Sequence, residues 1–147
     1  MLTDIPPVKR KLIDVVRTYQ GLLKRVDSYL KQDLEHPEIA AYLGLSLTNY
    51  YTKRRGERRF SYQDVRLILE RFGTPEEIAQ YREFIEVRDS IYNCLQDSHV
   101  PLVQYRRLLN LQHYRDLARR RDHPDTWQVE DLELVGQFME SIAYCID

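Results

Sequence analysis

The sequence predicts an all-α protein, a helical bundle, on three observations. Apolar residues recur at alternating spacings of three and four along several stretches, which is the period of an amphipathic α-helix. Only 5 glycines and 6 prolines occur in 147 residues, too few for a sheet built on many turns. Hydrophobic residues make up 43% and charged residues 31% of the chain, so we expect a packed core and not a disordered chain.

The first expected helix is long and amphipathic. Asp4 is a candidate cap, and Pro6 and Pro7 suit a first turn. The helix should end near Gln32, and its apolar stripe comprises Leu12, Val15, Tyr19, Leu22, Val26 and Tyr29. Gly21 lies inside this helix, where it costs about 1 kcal/mol relative to alanine. We therefore expect Gly21 to mark a close approach of another helix.

Two short helices are expected next. The first covers residues 36–43, and Gly44 ends it in the left-handed conformation that glycine adopts without a steric penalty. Ser46 caps the second, which covers residues 47–54 and is closed by Gly56.

Hydroxyl caps predict two further helices. Ser61 begins one that ends at Gly73 and buries Val65, Ile68 or Leu69, and Phe72. Residues 74–77 combine a threonine cap, a proline in the first turn and a glutamate three residues after the cap. The helix that they begin should run to about Gln96.

The pattern begins again after Pro101. At a sequence offset of 64 the matched pairs are Pro37/Pro101, Ile39/Val103, Leu45/Leu109, Ser46/Asn110, Leu47/Leu111, Tyr50/Tyr114 and Arg55/Arg119. If the second turn is three residues longer, an offset of 67 then pairs Phe60/Trp127, Asp64/Asp131, Val65/Leu132, Leu67/Leu134 and Ile68/Val135. Helical periodicity alone produces some chance matches. We interpret the pattern as a diverged tandem duplication, with units at 1–73 and 74–147.

The segment 39–50 has the residue types of a helix-turn-helix. A small residue at a helix crossing, a turn glycine, an apolar plug, a serine cap and an aromatic anchor follow in order; these are Ala40, Gly44, Leu45, Ser46 and Tyr50. Over residues 12–73 the chain resembles the Cro/λ-repressor-like (Xre-type) family, including the charged stretch that ends at Gly56. Lys53 departs from the pattern, because the family usually places an apolar residue there.

The resemblance implies a sequence-specific, double-stranded DNA-binding protein, a bacterial or phage-type transcriptional regulator. Helix 47–54 would enter the major groove, with base contacts expected from Leu47, Thr48, Tyr51 and Thr52 and from Asn49 beside them. The capping residue Ser46 is counted among the DNA-binding residues as well. A basic run follows, with five cations and one anion between residues 53 and 59. Its expected phosphate contacts are Lys53, Arg54, Arg55, Arg58 and Arg59.

The second copy of the motif is less regular. Leu108 stands where Gly44 stood, so the sharp turn is no longer encoded. The offset of 64 puts Leu111, Gln112, Arg115 and Asp116 at base-contacting positions, followed by Arg119, Arg120 and Arg121. Asp116 would repel phosphate unless it met a cytosine amino group. Two hypotheses remain open: both copies bind DNA, or the second copy is a protein-interaction surface.

Several function classes are not expected. The sequence contains no nucleophile elbow, phosphate loop or metalloprotease helix, so we do not expect an enzyme. Its 4 histidines share no ligand spacing, and we expect neither a metal nor a cofactor. No stretch approaches the roughly 18 apolar residues of a membrane span, and the N-terminus has no apolar signal segment. With Cys94 and Cys145 in apolar helical contexts, these features predict a cytoplasmic protein without a disulfide.

An alternative function uses the same fold. The formal net charge is −1, so the whole chain is not a polycation, and any DNA binding must come from a local patch. The chain could instead be a helical protein-interaction module, adaptor or antitoxin-like, acting as a homodimer or with another protein.

Overall fold

A computed structural model describes residues 7–32, 34–97, 107, 109, 111 and 113–146. Within these ranges the chain is helical and has no strand, which confirms the all-α prediction. The helices are α1 (Pro7–Leu30), α2 (His36–Tyr42), α3 (Leu47–Arg54), α4 (Tyr62–Phe72), α5 (Pro75–Asp97), α6 (Tyr114–Asp122) and α7 (Val129–Ile146), with a 3-10 turn at Pro124–Thr126. The described helices include none with both the length and the apolar character that a membrane crossing requires.

The chain divides into two compact units with different charge. The first, called here the basic unit, is Tyr19–Arg82, with 11 Lys and Arg against 9 Asp and Glu. The second, the acidic unit, comprises Met1–Thr18 and Glu83–Asp147, with 11 Lys and Arg against 14 Asp and Glu. Both boundaries fall inside long helices, α1 and α5. The duplication with a division after residue 73 stays a prediction.

The basic unit has a core of aliphatic and tyrosine side chains. Its buried members are Tyr19, Leu22, Val26, Leu30, Ile39, Ala40, Leu43, Tyr50, Val65, Ile68, Leu69 and Tyr81. Most of them lie on the predicted apolar faces of the amphipathic helices, which turn inward. Tyr29 and Phe72, which were predicted to belong to these faces, are only half-buried. The ring of Tyr19 packs against those of Tyr62 and Tyr81, at 6.3 and 6.4 Å between centroids.

Two hydroxyl caps begin helices α4 and α5 as predicted. Ser61 Oγ accepts from the amide of Asp64, whose carboxylate in turn accepts from the Ser61 amide at 3.0 Å. Thr74 and Glu77 form the same reciprocal pair, at 3.2 and 2.9 Å. Each box satisfies amide groups that have no partner inside the helix. These contacts fix where α4 and α5 begin.

The acidic unit encloses Trp127. Its buried apolar residues include Leu12, Ile13, Val15, Val16, Phe84, Leu109, Leu117, Trp127, Val129, Leu132 and Val135. The indole Nε1 of Trp127 donates to the carbonyl of Arg120 at 2.9 Å, so the one polar atom of the ring is satisfied. The side chains of Cys94 and Cys145 lie outside the described residues.

The close helix approach occurs at Gly136 and not at Gly21. A Cβ at Gly136 would lie 2.7 Å from Ile13 Cδ1, so α7 and α1 pack closely there. A Cβ at Gly21 would meet nothing within 4 Å. The expectation that Gly21 marks a close contact is therefore wrong. A glycine inside a helix does not by itself specify a packing contact.

The second half keeps one register from α6 onward. Helix α6 begins at Tyr114 and α7 at Val129, and both starts lie at an offset of 67 from those of α3 at Leu47 and α4 at Tyr62. The offset of 64 that the sequence suggested for the first of these helices does not relate the two helix starts.

Candidate nucleic-acid interface

The turn between α2 and α3 is held by two backbone hydrogen bonds. Gly44 has a φ of +70°, the left-handed conformation predicted for it. Its amide donates to the carbonyl of Ala41 at 3.0 Å, and the amide of Leu45 donates to that of Ala40 at 2.9 Å. This pair of bonds is the Schellman arrangement, which satisfies the last carbonyls of a helix. The direction in which the chain enters α3 is thereby set by the backbone.

Both ends of α3 are also fixed. Ser46 Oγ accepts from the amide of Asn49 at 3.1 Å, so the predicted cap is present. At the other end Gly56, with a φ of +82°, donates to Lys53 and the Glu57 amide donates to Thr52. These bonds repeat the Schellman arrangement one helix later. Helix α3 is a short segment with little freedom to lengthen or fray.

Tyr50 fastens α3 to the basic unit. Its side chain is fully buried, and its hydroxyl lies 2.9 Å from His36 Nδ1 at the start of α2. Burial raises the pKa of the Tyr50 hydroxyl, although the positive charge of Arg54 partly offsets this. Because Tyr50 faces inward, the opposite side of α3 faces water.

Three of the predicted base-contacting residues are exposed at the start of α3. Thr48 and Asn49 are exposed, and the apolar side chain of Leu47 is 43% exposed. They occupy consecutive positions in the first turn of α3. Ser46 is exposed beside them while its oxygen caps the helix. The start of α3 therefore exposes the methyl groups of Leu47, the hydroxyl of Thr48 and the amide of Asn49.

Tyr51 and Thr52 are placed differently. The ring of Tyr51 packs edge-on against Tyr50, 5.5 Å between centroids, and lies 6.1 Å from His36. The hydroxyl of Thr52 donates to the carbonyl of Thr48 at 2.9 Å, within its own helix. Both side chains are half-buried. Their polar atoms are less accessible than those of the first turn.

Lys53 occupies the position where the sequence departs from the family pattern, and its ammonium has a partner. Nζ lies 2.7 Å from Asp64 Oδ2, and the lysine and aspartate side chains are 17% and 6% exposed. The same carboxylate caps α4 through the Ser61 amide. The lysine stem covers apolar surface while its charge is neutralised inside the basic unit. Lys53 therefore joins the end of α3 to the start of α4.

The rest of the basic run is more open. Arg55 pairs with Glu57, at 3.1 Å between Nε and Oε1, and both side chains are 59% exposed. Arg58 and Arg59 are exposed, and Arg54 is half-buried. Arg54 and Arg58 have no carboxylate partner among the described residues. Arg58 is therefore exposed and without a carboxylate partner in the described chain, and Arg54 is half-exposed and equally without one.

In the acidic unit, the predicted cations separate into two groups. Arg115 and Arg119 are exposed and lie one helical turn apart on α6. Arg120 Nε pairs with Asp131 Oδ2 at 2.8 Å, with only 14% of its side chain exposed. Arg121 pairs with Asp122, and this hydrogen bond lowers the pKa of the Asp122 carboxyl.

Counted from the helix starts, the base-contacting residues predicted for a second copy of the motif fall at other helix positions. Leu111 precedes α6, and Gln112 lies outside the described residues. Arg115 and Asp116 lie at the helix positions of Thr48 and Asn49, and Leu117 is buried at the position of Tyr50.

One pair of contacts that sequence reasoning missed is common to both units. Lys53 pairs with Asp64 and Arg120 with Asp131, and in each pair the cation precedes the aspartate by eleven positions. The two pairs are related by the same offset of 67 that relates the helix starts. Asp131 also accepts from the amide of Gln128 at 2.8 Å, as Asp64 does from Ser61. In the sequence, such a pair is indicated by a helix-capping aspartate that follows a lysine or arginine by eleven positions.

The described residues contain no group of three or more His, Cys, Asp or Glu that could hold a metal ion. Comparisons with protein-family models, curated proteins and solved structures find no match to this chain.

Proposed function

We propose that the protein binds double-stranded DNA through α3 and acts in the cytoplasm as a regulator of transcription. The observation that carries the proposal is the exposed first turn of α3. It presents Leu47, Thr48 and Asn49 on a helix whose two ends are fixed by capping contacts. A rigid helix with exposed groups in its first turn is what base recognition in a major groove requires.

The three exposed side chains differ in what they would recognise. Asn49 can donate to and accept from adenine, and Thr48 can hydrogen-bond a base edge of either kind. Leu47 has no polar atom to satisfy, and its methyl groups suit the C5 methyl of thymine. The proposed site therefore contains adenine and thymine beside the start of α3.

Phosphate binding is assigned mainly to Arg54 and Arg58. Lys53 is neutralised by Asp64 and Arg55 is paired with Glu57, whereas these two guanidinium groups have no such partner in the described chain. Phosphate contacts supply affinity and position without carrying sequence information. The basic run contains five cations, but we expect fewer than five phosphate contacts to determine the salt dependence of binding.

The test separates the two kinds of contact by fluorescence-polarisation titration. A fluorescent duplex chosen by selection from random sequence is compared with a scrambled duplex at several salt concentrations. The Arg54→Ala/Arg58→Ala variant should bind both duplexes more weakly and reduce the salt slope by about 1.8, or about 0.9 per phosphate contact. Thr48→Ala and Asn49→Ala should lose the preference for the selected duplex and retain the slope.

A matched control removes the same charge elsewhere. Arg17 and Lys24 are exposed on α1, and Arg17→Ala/Lys24→Ala should change the slope little. The proposal fails if the wild-type protein does not bind duplex at low salt, where even non-specific binding is strong. It also fails if the control variant and the Arg54→Ala/Arg58→Ala variant behave alike.

A second candidate function rests on a different surface of the basic unit. Tyr42 is 37% exposed, and the guanidinium of Arg71 lies 5.1 Å from its ring and 5.7 Å from that of Phe72. Tyrosine, phenylalanine and arginine are enriched at protein interfaces. A protein-interaction module would use this surface, and Tyr42→Ala/Arg71→Ala would then abolish a stoichiometric complex or a homodimer while leaving DNA binding unchanged.

A further inference from the structure

We infer that α6 of the acidic unit carries a second phosphate-contacting surface, made by Arg115 and Arg119, which binds the DNA backbone without reading its sequence. This inference rests on the proposed function, because its ligand is the same class of molecule. It differs in the unit, the helix and the kind of contact.

The first step is the helix register. Because the starts of α3 and α6 are related by an offset of 67, Arg115 and Arg119 lie at the positions of Thr48 and Thr52. Leu117 is fully buried at the position of Tyr50. The buried residue fixes which side of α6 faces the core. Both arginines are on the exposed side, where α3 carries threonines.

The second step is the state of the cations. Among the described residues neither Arg115 nor Arg119 is in an ion pair, whereas Arg120 and Arg121 each have a carboxylate partner. Two like charges one turn apart on a helix repel each other and destabilise it. An anion that contacts both guanidinium groups would remove this repulsion. Arginine suits such an anion, because its guanidinium group can donate two parallel hydrogen bonds to phosphate oxygens.

The third step concerns the net charge of the acidic unit. The total is negative and would by itself oppose anion binding. Several of its carboxylates are already paired within the unit: Asp122 with Arg121, Asp125 with Arg88, and Asp131 with Arg120. Binding of a phosphate depends on the local charges at the contact. On α6 the acidic residue of the first turn is Asp116.

Asp116 makes the surface weaker than it could be. It lies at the position of Asn49 and is half-exposed beside Arg115. A carboxylate there repels phosphate, so the surface contributes to general affinity and not to base recognition. Removing the charge of Asp116 should therefore strengthen DNA binding, whereas removing the side chain of Asn49 on α3 should weaken the preference for one sequence.

The experiment uses the full chain, fluorescent duplexes of selected and scrambled sequence, and titrations between about 50 and about 200 mM salt. Arg115→Ala/Arg119→Ala should reduce the salt slope by about 1.8 and weaken both duplexes by the same factor, leaving their affinity ratio unchanged. Asp116→Asn should tighten binding to both duplexes at least twofold at low salt. Tighter binding cannot result from a damaged fold. The control is again Arg17→Ala/Lys24→Ala.

The outcomes separate this inference from the proposed function. If the wild-type protein binds and Arg54→Ala/Arg58→Ala reduces the slope, but Arg115→Ala/Arg119→Ala and Asp116→Asn leave it unchanged, the α6 surface is overturned alone. If the wild-type protein does not bind duplex at low salt, the proposed function is overturned and the inference with it. Loss of the sequence preference in Arg115→Ala/Arg119→Ala would contradict a backbone-only contact.

Discussion

The two units connect a short helix to the helix that follows it in the same way, but they hold the short helix differently. In the basic unit, α3 lies between two glycines with positive φ and is capped by Ser46. In the acidic unit, His113 precedes α6 without a side-chain cap bond and His123 follows it in an extended conformation. The ion pair to the next helix is nevertheless present in both units.

This difference shows which contacts position a helix and which orient its exposed face. A lysine or arginine paired with the capping aspartate fixes the distance from one helix to the next in both units. The glycine turns determine in addition the path by which α3 is entered and left, because only glycine takes that conformation without strain. The basic unit therefore presents a more closely defined first turn, which agrees with the proposal that it reads bases.

The largest expected loss of stability comes from replacing the aromatic residues Phe60 and Trp127, which match at the offset of 67. Trp127 is fully buried, whereas Phe60 is half-buried at the matching place. Trp127→Ala should lower the free energy of unfolding by about 4 kcal/mol, since it removes a large core side chain, and Phe60→Ala by about half as much. Urea denaturation followed by circular dichroism measures both. Equal losses would mean that the two units use this position alike.

The shared ion pair should give the next largest effect, and a similar one in each unit. Asp64→Ala and Asp131→Ala each leave a mostly buried cation without its partner and a helix without its cap, so each should cost about 3 kcal/mol. The same denaturation measurement applies. Asp64→Asn and Asp131→Asn retain an acceptor for the cap and should recover part of the loss. A loss in only one unit would contradict the common architecture.

Glu77 belongs to the basic unit and should make that unit sensitive to acid. Its carboxylate accepts from Tyr29 at 2.6 Å and from the Thr74 amide, and it lies 3.5 Å from Arg25. Burial alone raises the pKa of Glu77, but these hydrogen bonds outweigh it and hold the pKa below its ordinary value. The contact with Glu77 also raises the pKa of Tyr29.

A depressed carboxyl pKa contributes stability above the unfolded value, and this contribution is lost as the pH falls through the folded value. Glu77→Gln should therefore cost about 2 kcal/mol at pH 7 and much less near pH 3. Unfolding measured across this pH range tests the sign. A loss of stability that is independent of pH would show that the charge of Glu77 contributes nothing.

The smallest effects come from two glycines of the basic unit, and they should have opposite signs. Gly44→Ala forces a side chain into a positive φ and should cost about 1–2 kcal/mol. Gly21→Ala meets open space inside a helix and should stabilise the protein by about 0.5–1 kcal/mol. Thermal unfolding of the two variants provides the measurement. Effects of the same sign would contradict the conformations assigned to these residues.

Much of the basic unit could be predicted because its signals are local. The apolar stripe of α1, the caps Ser46, Ser61 and Thr74, and the glycine at 44 each act within a few residues. Their physical causes are therefore visible in the sequence. The ion pair of Lys53 with Asp64 was not predicted, because it joins the end of one helix to the start of the next and depends on the turn between them.

The offset predicted from the sequence for α6 differs from the one that relates the starts of α3 and α6, and the reason is physical. Offsets of 64 and 67 differ by three, and residues three apart lie on the same face of a helix. Both offsets therefore superimpose the apolar stripes, and apolar matching cannot distinguish them. The capping contact of Asp131 and the buried Leu117 resolve the choice, but they are evident only once the helices are placed.

The most direct test of α3 as the DNA-contacting helix is a nuclear magnetic resonance titration of the amide-labelled full chain with a selected duplex. The largest shift changes should fall between Ser46 and Arg59, with a smaller set on α6 around Arg115 and Arg119. The exposed residues Arg17 and Lys24 should change little. Changes concentrated around Tyr42 and Arg71, or no changes at low salt, would contradict the assignment of DNA binding to α3.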